Sequence, residues 1–374
     1  MNEFIPMSRP YLGDEEIEAV SEVLRSGWIT TGPKCSEFEK MFAEFVGTPY
    51  ALSVSSGTAG MHLVLKLMGV GPGDEVVTPS MTFASTVNQI TLAGARPVFA
   101  DVDYDTMLIK PEEIDRLKST KTKAVIPVHF AGAPADMDAI EQASGDIPII
   151  EDAAHAIGTT YKGAHIGSRG NVSIFSFHPI KNITTAEGGM VTSSDETMMK
   201  QLRLMRFHGI ERDAWKRYGK ASDPGYDIKE PGFKYNMPDI QAALGLIQLS
   251  KIDEITKRRN RIAEMYLDGL SDLGGVDLPG IPTYPHTHAW HLFVVKIKSV
   301  DRESFMRALA DNNIGYGLHF PTCHRLSYIR ERFGDIHLPE TDALADRILS
   351  IPIYPAMSDE QVYRVIDVIK RVLG

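Results

Sequence analysis

The chain has 374 residues, 43% of them hydrophobic and 24% charged. That composition is ordinary for a globular protein, and the length suits two domains of about 150 residues each. Thirty-nine basic against 49 acidic residues leave a net charge of −10, which disfavours a nucleic-acid protein working through a global positive field but permits a local cationic pocket. Two cysteines, Cys35 and Cys323, are too few for a disulfide framework or an all-cysteine iron–sulfur cluster.

The first ten residues carry neither a basic region nor an apolar stretch and do not read as a signal peptide. No apolar run approaches the roughly 18 residues of a membrane span. The expectation is a soluble cytoplasmic protein. From about residue 50 to 195, short apolar runs alternate with helical stretches. The runs are Glu75–Thr78, Pro97–Val102, Lys123–His129, Ile147–Glu151 and Val172–Phe177. Nearly continuous apolar strands, with amphipathic segments such as Pro111–Leu117 between them, predict a mainly parallel sheet covered on both faces. Beyond residue 236, Ile240, Ala243, Leu244 and Ile247 mark a helical face. The run Lys257-Arg258-Arg259-Asn260-Arg261 is expected on the continuation of that helix, chiefly as a solvated polar face and less as a phosphate site. A strand over His291–Ile297, a helix over Arg302–Asn312 and a final helix over Asp359–Val372 complete a smaller α/β lobe. The expected division is a large domain over 1–250 and a small domain over 251–374; the segment 1–30 fits either lobe.

Three stretches carry chemistry. Ser55-Ser56-Gly57-Thr58-Ala59-Gly60 precedes a helix expected from about Met61 to Met68. Small residues let a ligand approach the backbone, and the N–H groups at a helix start favour phosphate; a plain Ser/Thr-capped turn is the competing reading. Ile149-Ile150-Glu151-Asp152-Ala153-Ala154-His155 ends a strand on acids, where open α/β sheets hold ligands, although such acids also serve as helix caps. Ser176-Phe177-His178-Pro179-Ile180-Lys181 places a lysine directly after an apolar strand, where burial would lower its pKa and favour Schiff-base chemistry; a lysine snorkelling to solvent is the ordinary alternative. Glu187-Gly188-Gly189 follows as a tight turn into Met190–Thr192. Together, a phosphate loop, a strand-end Asp and a Lys 29 residues further on meet the requirements of pyridoxal 5′-phosphate. The twelve histidines show no His-x-x-x-His with an accompanying acid, and two cysteines cannot build a thiolate site, so no metal site is expected.

At these residues the sequence resembles the DegT/DnrJ/EryC1/StrS nucleotide-sugar aminotransferases nearly end to end, from Ile5-Pro6-Met7-Ser8-Arg9-Pro10 to Ile351-Pro352-Ile353-Tyr354-Pro355. Gly27-Trp28-Ile29-Thr30-Thr31-Gly32-Pro33, Ser55–Gly60, Glu151–His155, Phe175–Lys181 and Glu187-Gly188-Gly189 carry the resemblance. It implies an α/β fold of the PLP-dependent transferase type I class, aspartate aminotransferase-like. It makes Lys181 the Schiff-base lysine and pairs Asp152 with the pyridinium nitrogen. His155 falls near the ring hydroxyl, and Phe83 and Ala154 on the two ring faces. Gly57, Thr58 and Ser176 would hold the phosphate, with Asn236 reaching in from a second subunit of a homodimer. Without the resemblance, Asn236 beside Pro238 reads equally well as a helix cap.

Within the family, Ala131-Gly132-Ala133-Pro134-Ala135-Asp136, His288-Ala289-Trp290-His291-Leu292-Phe293 and Gly317-Leu318-His319-Phe320 most resemble members that make UDP-4-amino-4-deoxy-L-arabinose for surface polysaccharide or lipid A. Those members stack a tryptophan on the cofactor where this chain has Phe83. The resemblance implies L-glutamate as amino donor, a UDP-4-keto-pentose as acceptor and Thr30, His319 and Phe320 in the sugar site. A UDP- or dTDP-linked 4-keto-6-deoxy-hexose is the alternative acceptor. A sugar 3-dehydratase of the same fold would replace the lysine with histidine. A non-catalytic regulatory or sugar-binding protein would not be expected to keep lysine, aspartate and phosphate loop together.

Overall fold

The computed structural model describes residues 3–210 and 227–374. Its central strands run in the spatial order Arg96–Ala100, Glu75–Pro79, Thr122–Val125, then Ile150–Asp152, Val172–Ser176, Gly189–Ser193 and Tyr50–Val54. Parallel bridges Val125↔Ile149 and Val128↔Asp152 join the two groups. All neighbours are parallel except Gly189–Ser193, which runs antiparallel to both of its partners. The predicted parallel strands are therefore present, each shifted by a residue or more at its ends. Val172–Ser176 owes its central place to its pattern: Val172, Ser173, Ile174 and Phe175 are all buried, as a strand covered on both faces requires.

The helix after the first strand begins at Gly57, not near Met61, and runs to Leu67. Ser56 caps it by accepting the Ala59 N–H at 3.0 Å, so the small residues form its first turn rather than a loop before it. Close approach explains two glycines. A Cβ on Gly189 would lie 2.6 Å from Gly57 N, and a Cβ on Gly57 would lie 3.3 Å from Phe175 O. The Glu187-Gly188-Gly189 turn, the central strand and this helix start are thus packed backbone to backbone.

A second apolar cluster gathers Ile262 and Tyr266 from the helix Ile252–Leu270, Phe293 and Val295 from the strand Phe293–Ile297, Leu349 from Ile348–Ile351, and Val362 and Ile366 from the helix Asp359–Leu373. Val276–Asp277, Phe293–Ile297 and Ile348–Ile351 form its antiparallel sheet. The N-terminal segment touches both regions. Ile5 bridges to Ile314, whereas Glu16 of the helix Asp14–Ser26 accepts from Gln248 at 2.9 Å and Lys251 at 2.8 Å.

The Lys257–Arg261 run does not continue the helix that carries Ile240–Ile247 but lies on a separate one. Asp239–Ser250 ends, Lys251 breaks the geometry, and Ile252–Leu270 begins anew. Nor is the run uniformly solvated. Lys257 and Arg261 are exposed, but Arg258 pairs with Asp359 at 2.7 Å. Arg259 is 1% exposed and donates to Trp290 O at 2.9 Å and Ile353 O at 3.1 Å. These two arginines satisfy loop carbonyls that would otherwise be buried unpaired. No helix among the described residues is long and apolar enough to cross a membrane.

Candidate active site

The strand ends converge on one cavity of about 640 Å³, within the usual range for a small-molecule site. Asp152 ends its strand, and its backbone is held on both sides by Pro127 O at 2.9 Å and His129 N at 3.1 Å. Its carboxylate accepts from Thr86 Oγ1 at 2.8 Å and Ala154 N at 3.2 Å. Ser176 ends the neighbouring strand. The chain then turns so that Lys181 N donates to His178 O at 2.8 Å. Asn182 Nδ2 anchors the following residue to Ala289 O at 2.8 Å, and Thr184 Oγ1 donates back to Phe177 O at 2.9 Å. This bracing keeps Lys181 at the cavity instead of in solvent. Burial lowers its pKa to about 8, with the Asp152 charge opposing the shift, so about one amine in ten is neutral at pH 7.

His155 is buried, and its Nδ1 accepts the Ala131 N–H at 3.3 Å. Burial, then the charges of Lys181 and His319, push its pKa well below the ordinary value. A neutral imidazole accepting at Nδ1 carries its proton on Nε2. Phe320 stacks on this ring at 5.7 Å and approaches Phe83 at 5.5 Å. Phe83 is 57% exposed, whereas Phe320 is only 9% exposed and belongs to the main apolar cluster; Phe320 is both core and cavity wall. His319 hydrogen-bonds Ser350 Oγ through Nδ1 at 2.9 Å, and burial with the Lys181 charge lowers its pKa to about 4.

Of the residues singled out in the sequence, Gly57, Thr58, Phe83, Asp152, Ala154, His155, Ser176, Lys181, His319 and Phe320 line this one cavity. Thr30 and Asn236 do not. Thr30 is exposed, and its carbonyl accepts from Asp239 N at 3.1 Å. Asn236 donates to Thr31 Oγ1 at 2.5 Å and does not cap the helix Asp239–Ser250, whose N-terminus has no side-chain cap bond.

The DegT/DnrJ/EryC1/StrS aminotransferase family matches residues 10–370. The chain belongs to that family. Spr1654 of Streptococcus pneumoniae, assigned as a sugar aminotransferase and solved in apo, PLP and PMP forms, is 33% identical. The match covers 99% of this chain and 98% of that one with a TM-score of 0.91. DesV of S. venezuelae, solved with a ketimine intermediate, is 31% identical over 99% of both chains with a TM-score of 0.89. Helicobacter pylori PseC, an aminotransferase of pseudaminic acid biosynthesis, is 25% identical over 99% of both with a TM-score of 0.91. The fold is the PLP-dependent transferase type I class, and the chain is a PLP-dependent sugar aminotransferase.

The cavity suits this family's cofactor chemically. Gly57 starts the helix Gly57–Leu67 in the cavity wall, so close to Phe175 and Ser176 that a Cβ there would crowd the strand, and first-turn N–H groups have no partner inside a helix. A fixed carboxylate, an amine of lowered pKa and an exposed phenyl face complete the donor set.

Some neighbours of the site carry no local signal. Thr86 is assigned by nothing in its own segment, yet it holds Asp152. His129 donates through Nε2 to Glu151 at 2.9 Å while its Nδ1 accepts from Ala135 N at 3.0 Å; that buried pair fixes the strand next to Asp152. His291 lies 4.3 Å from the His155 ring. The Thr86–Asp152 and His129–Glu151 bonds span 66 and 22 residues of chain, so spacing alone does not find them.

Proposed function

We propose that the chain moves the amino group of L-glutamate to the keto carbon of a nucleotide-linked 4-keto sugar, with a UDP-4-keto-pentose of the L-arabinose type as acceptor. The single observation that carries the reading is the convergence of Lys181, Asp152 and the Gly57 helix start on one cavity. Pyridoxal phosphate supplies an aldehyde for the amine and a ring that takes up the electron pair left on the donor carbon.

The chain's own groups do the rest. Gly57 and Thr58 at the helix start, with Ser176 at the neighbouring strand end, would hold the phosphate. Asp152, oriented by Thr86 and Ala154, would accept a charge-assisted hydrogen bond from the ring nitrogen and keep it protonated. His155 would offer its Nε2–H to the cofactor's hydroxyl, and Phe83 and Ala154 would cover its ring. Lys181, partly neutral near pH 7, would serve as the base that takes the proton from the donor carbon and, once protonated, as the acid that gives it back, with the roles reversed in the second half-reaction. His319 and Phe320 line the acceptor side.

Thr30 is exposed and Asn236 half-buried, and neither lines the cavity of its own chain. Both fit better as contributions to a second copy, with Asn236 reaching that copy's phosphate. Exposed Ile17 and Leu24 of the helix Asp14–Ser26 and nearby Ile29 offer an apolar face for such a homodimer. A second acceptor reading has its own support. Met61, Phe83, Leu318, Phe320 and Leu326 make much of the lining apolar, which suits the methyl group of a 4-keto-6-deoxy-hexose.

The test loads purified protein with glutamate and offers UDP- and dTDP-linked keto sugars. Amino sugar identified by mass and NMR is expected. Formation of 2-oxoglutarate with no amination of any keto sugar would remove the acceptor assignment.

A further inference from the structure

We propose that Ser80, His324 and Asp342 form a positioning relay that fixes the far wall of the cavity to the main sheet and so sets how the keto sugar is seated. The inference rests on the sugar-acceptor reading above and assigns a function to residues outside the cavity lining.

His324 Nδ1 lies 2.7 Å from Ser80 Oγ, and its Nε2 lies 3.0 Å from Asp342 Oδ1. The His324 backbone N–H donates to the same Ser80 Oγ at 2.9 Å. Against the effect of burial, hydrogen bonds from His324, Leu338 and Arg325 hold Asp342 down to about 2. Its carboxylate can therefore only accept, which puts a proton on Nε2. Neutral His324 then accepts the Ser80 hydroxyl proton at Nδ1, and that hydroxyl accepts the backbone N–H. Every polar atom of the chain is satisfied in one protonation state, the condition under which a buried network rigidifies its surroundings.

The order Ser–His–Asp is also that of a nucleophilic triad. Here Ser80 is fully buried and its oxygen already receives a backbone donor, so the arrangement is a strut and not a nucleophile.

The strut joins the two sides of the cavity. Ser80 follows the strand Glu75–Pro79 and precedes Thr82 and Phe83, which line one side. His324 follows His319, Phe320 and Pro321, which line the other. Cys323 reinforces the joint, its N donating to Ser80 O at 3.0 Å and its Sγ to Thr82 O at 3.3 Å. Asp342 belongs to the helix Pro339–Ala345, whose first turn is bound by Asp101 through Thr341 N at 2.9 Å and Thr341 Oγ1 at 2.6 Å. Asp101 follows the neighbouring strand Arg96–Ala100. The far wall is thus tied to two adjacent strand ends, and the 5.5 Å separation of Phe83 and Phe320 is set by the ties.

The experiment uses holoenzyme and whichever of a UDP-4-keto-pentose or a dTDP-4-keto-6-deoxy-hexose the wild type aminates. His324→Phe and the milder Ser80→Ala should raise the keto-sugar KM about 5- to 10-fold and weaken calorimetric binding of the amino-sugar product equally. His324→Asn, which can keep the Ser80 contact but not the one to Asp342, should fall between them and wild type. The glutamate half-reaction and the cofactor absorbance should stay within about twofold of wild type in all three. Equal damage to both half-reactions, or an unchanged KM with only a lowered Tm, would overturn the relay. If His324→Phe does not fold, Ser80→Ala decides by the same readouts. A wild type that aminates neither sugar removes the acceptor reading and this inference with it. A wild type that aminates one, with variants at its KM, removes the inference alone.

Discussion

The two sides of the cavity are built by different means. The sheet side carries Asp152, Ser176 and Lys181 within one stretch of chain, each placed by the end of a strand or the bracing of the next loop. The far side carries His319 and Phe320 on a segment that returns from beyond the second apolar cluster and is fixed by side-chain hydrogen bonds such as Ser80–His324, 244 residues apart in sequence. Backbone placement gives the sheet side groups whose chemistry follows from their position. Side-chain placement gives the far side a position that depends on a few bonds. The first arrangement suits groups common to one cofactor reaction, the second suits a wall that selects its acceptor.

The sharpest break of that contrast falls on the sheet side. Lys181→Ala should reduce amino-sugar formation by about 10³-fold or more, since both the covalent partner and the proton carrier are lost. Borohydride reduction and peptide mapping of wild type should find pyridoxyl label on Lys181; label elsewhere with none there would undo the assignment. Asp152→Asn should retain some cofactor yet lose about 10²-fold in kcat, because an amide cannot supply the charge-assisted bond. Wild-type turnover would make Asp152 structural. Thr86→Val removes a single 2.8 Å bond to Asp152 at similar volume and should cost about 5- to 10-fold in kcat with little change in either KM.

The same contrast explains what was legible in the sequence. The parallel strands, the helix Pro111–Leu117 and the shared cavity of Asp152 and Lys181 follow from apolar runs and their spacing, because strand ends in an open sheet share one edge. The start of the helix at Gly57 is ambiguous in sequence, since small residues suit a loop and a Ser-capped first turn alike, and only the Ser56 bond to Ala59 decides for the turn. The break at Lys251 was hidden by helical periodicity on both sides. Thr86, His129 and the Ser80–His324–Asp342 chain left no local pattern at all, because their partners are chosen by tertiary packing. Phe320 could not be divided between core and site from sequence; the fold gives it both roles.

On the far wall, His319→Ala should raise the keto-sugar KM about 5-fold and leave the glutamate half-reaction nearly intact. Stopped-flow measurement of each half-reaction separates the outcomes. Equal loss in both would place His319 with the cofactor and dissolve the distinction between the two sides.

The smallest effect concerns stability and reaches both sides through buried bases. In the protein freed of cofactor, Lys181 has a pKa of about 8 against 10.5 for the ordinary amine. The unfolded chain therefore binds more protons between these values, so folding stability rises with pH from about 8 to 10.5. His319, lowered to about 4 from 6.5, adds a second window in which stability falls as pH drops from 6.5 to 4. Lys181→Met removes the first window by replacing a half-buried charge with an apolar side chain of similar length. It should raise stability of the cofactor-free protein by about 1 kcal/mol at pH 7, a value discounted for the partial exposure of the amine. The gain should shrink toward zero above pH 10, while the acid-side window narrows, because the Lys181 charge that helps lower His319 and His155 is gone. His319→Phe should reduce the slope below pH 6.5, where buried His155 and His291 still contribute, and leave the alkaline one. Urea unfolding across pH reads both slopes. A Lys181→Met gain that persists unchanged at pH 11 would mean the lysine costs stability through packing rather than charge, and the proton-carrying role would lose its electrostatic basis.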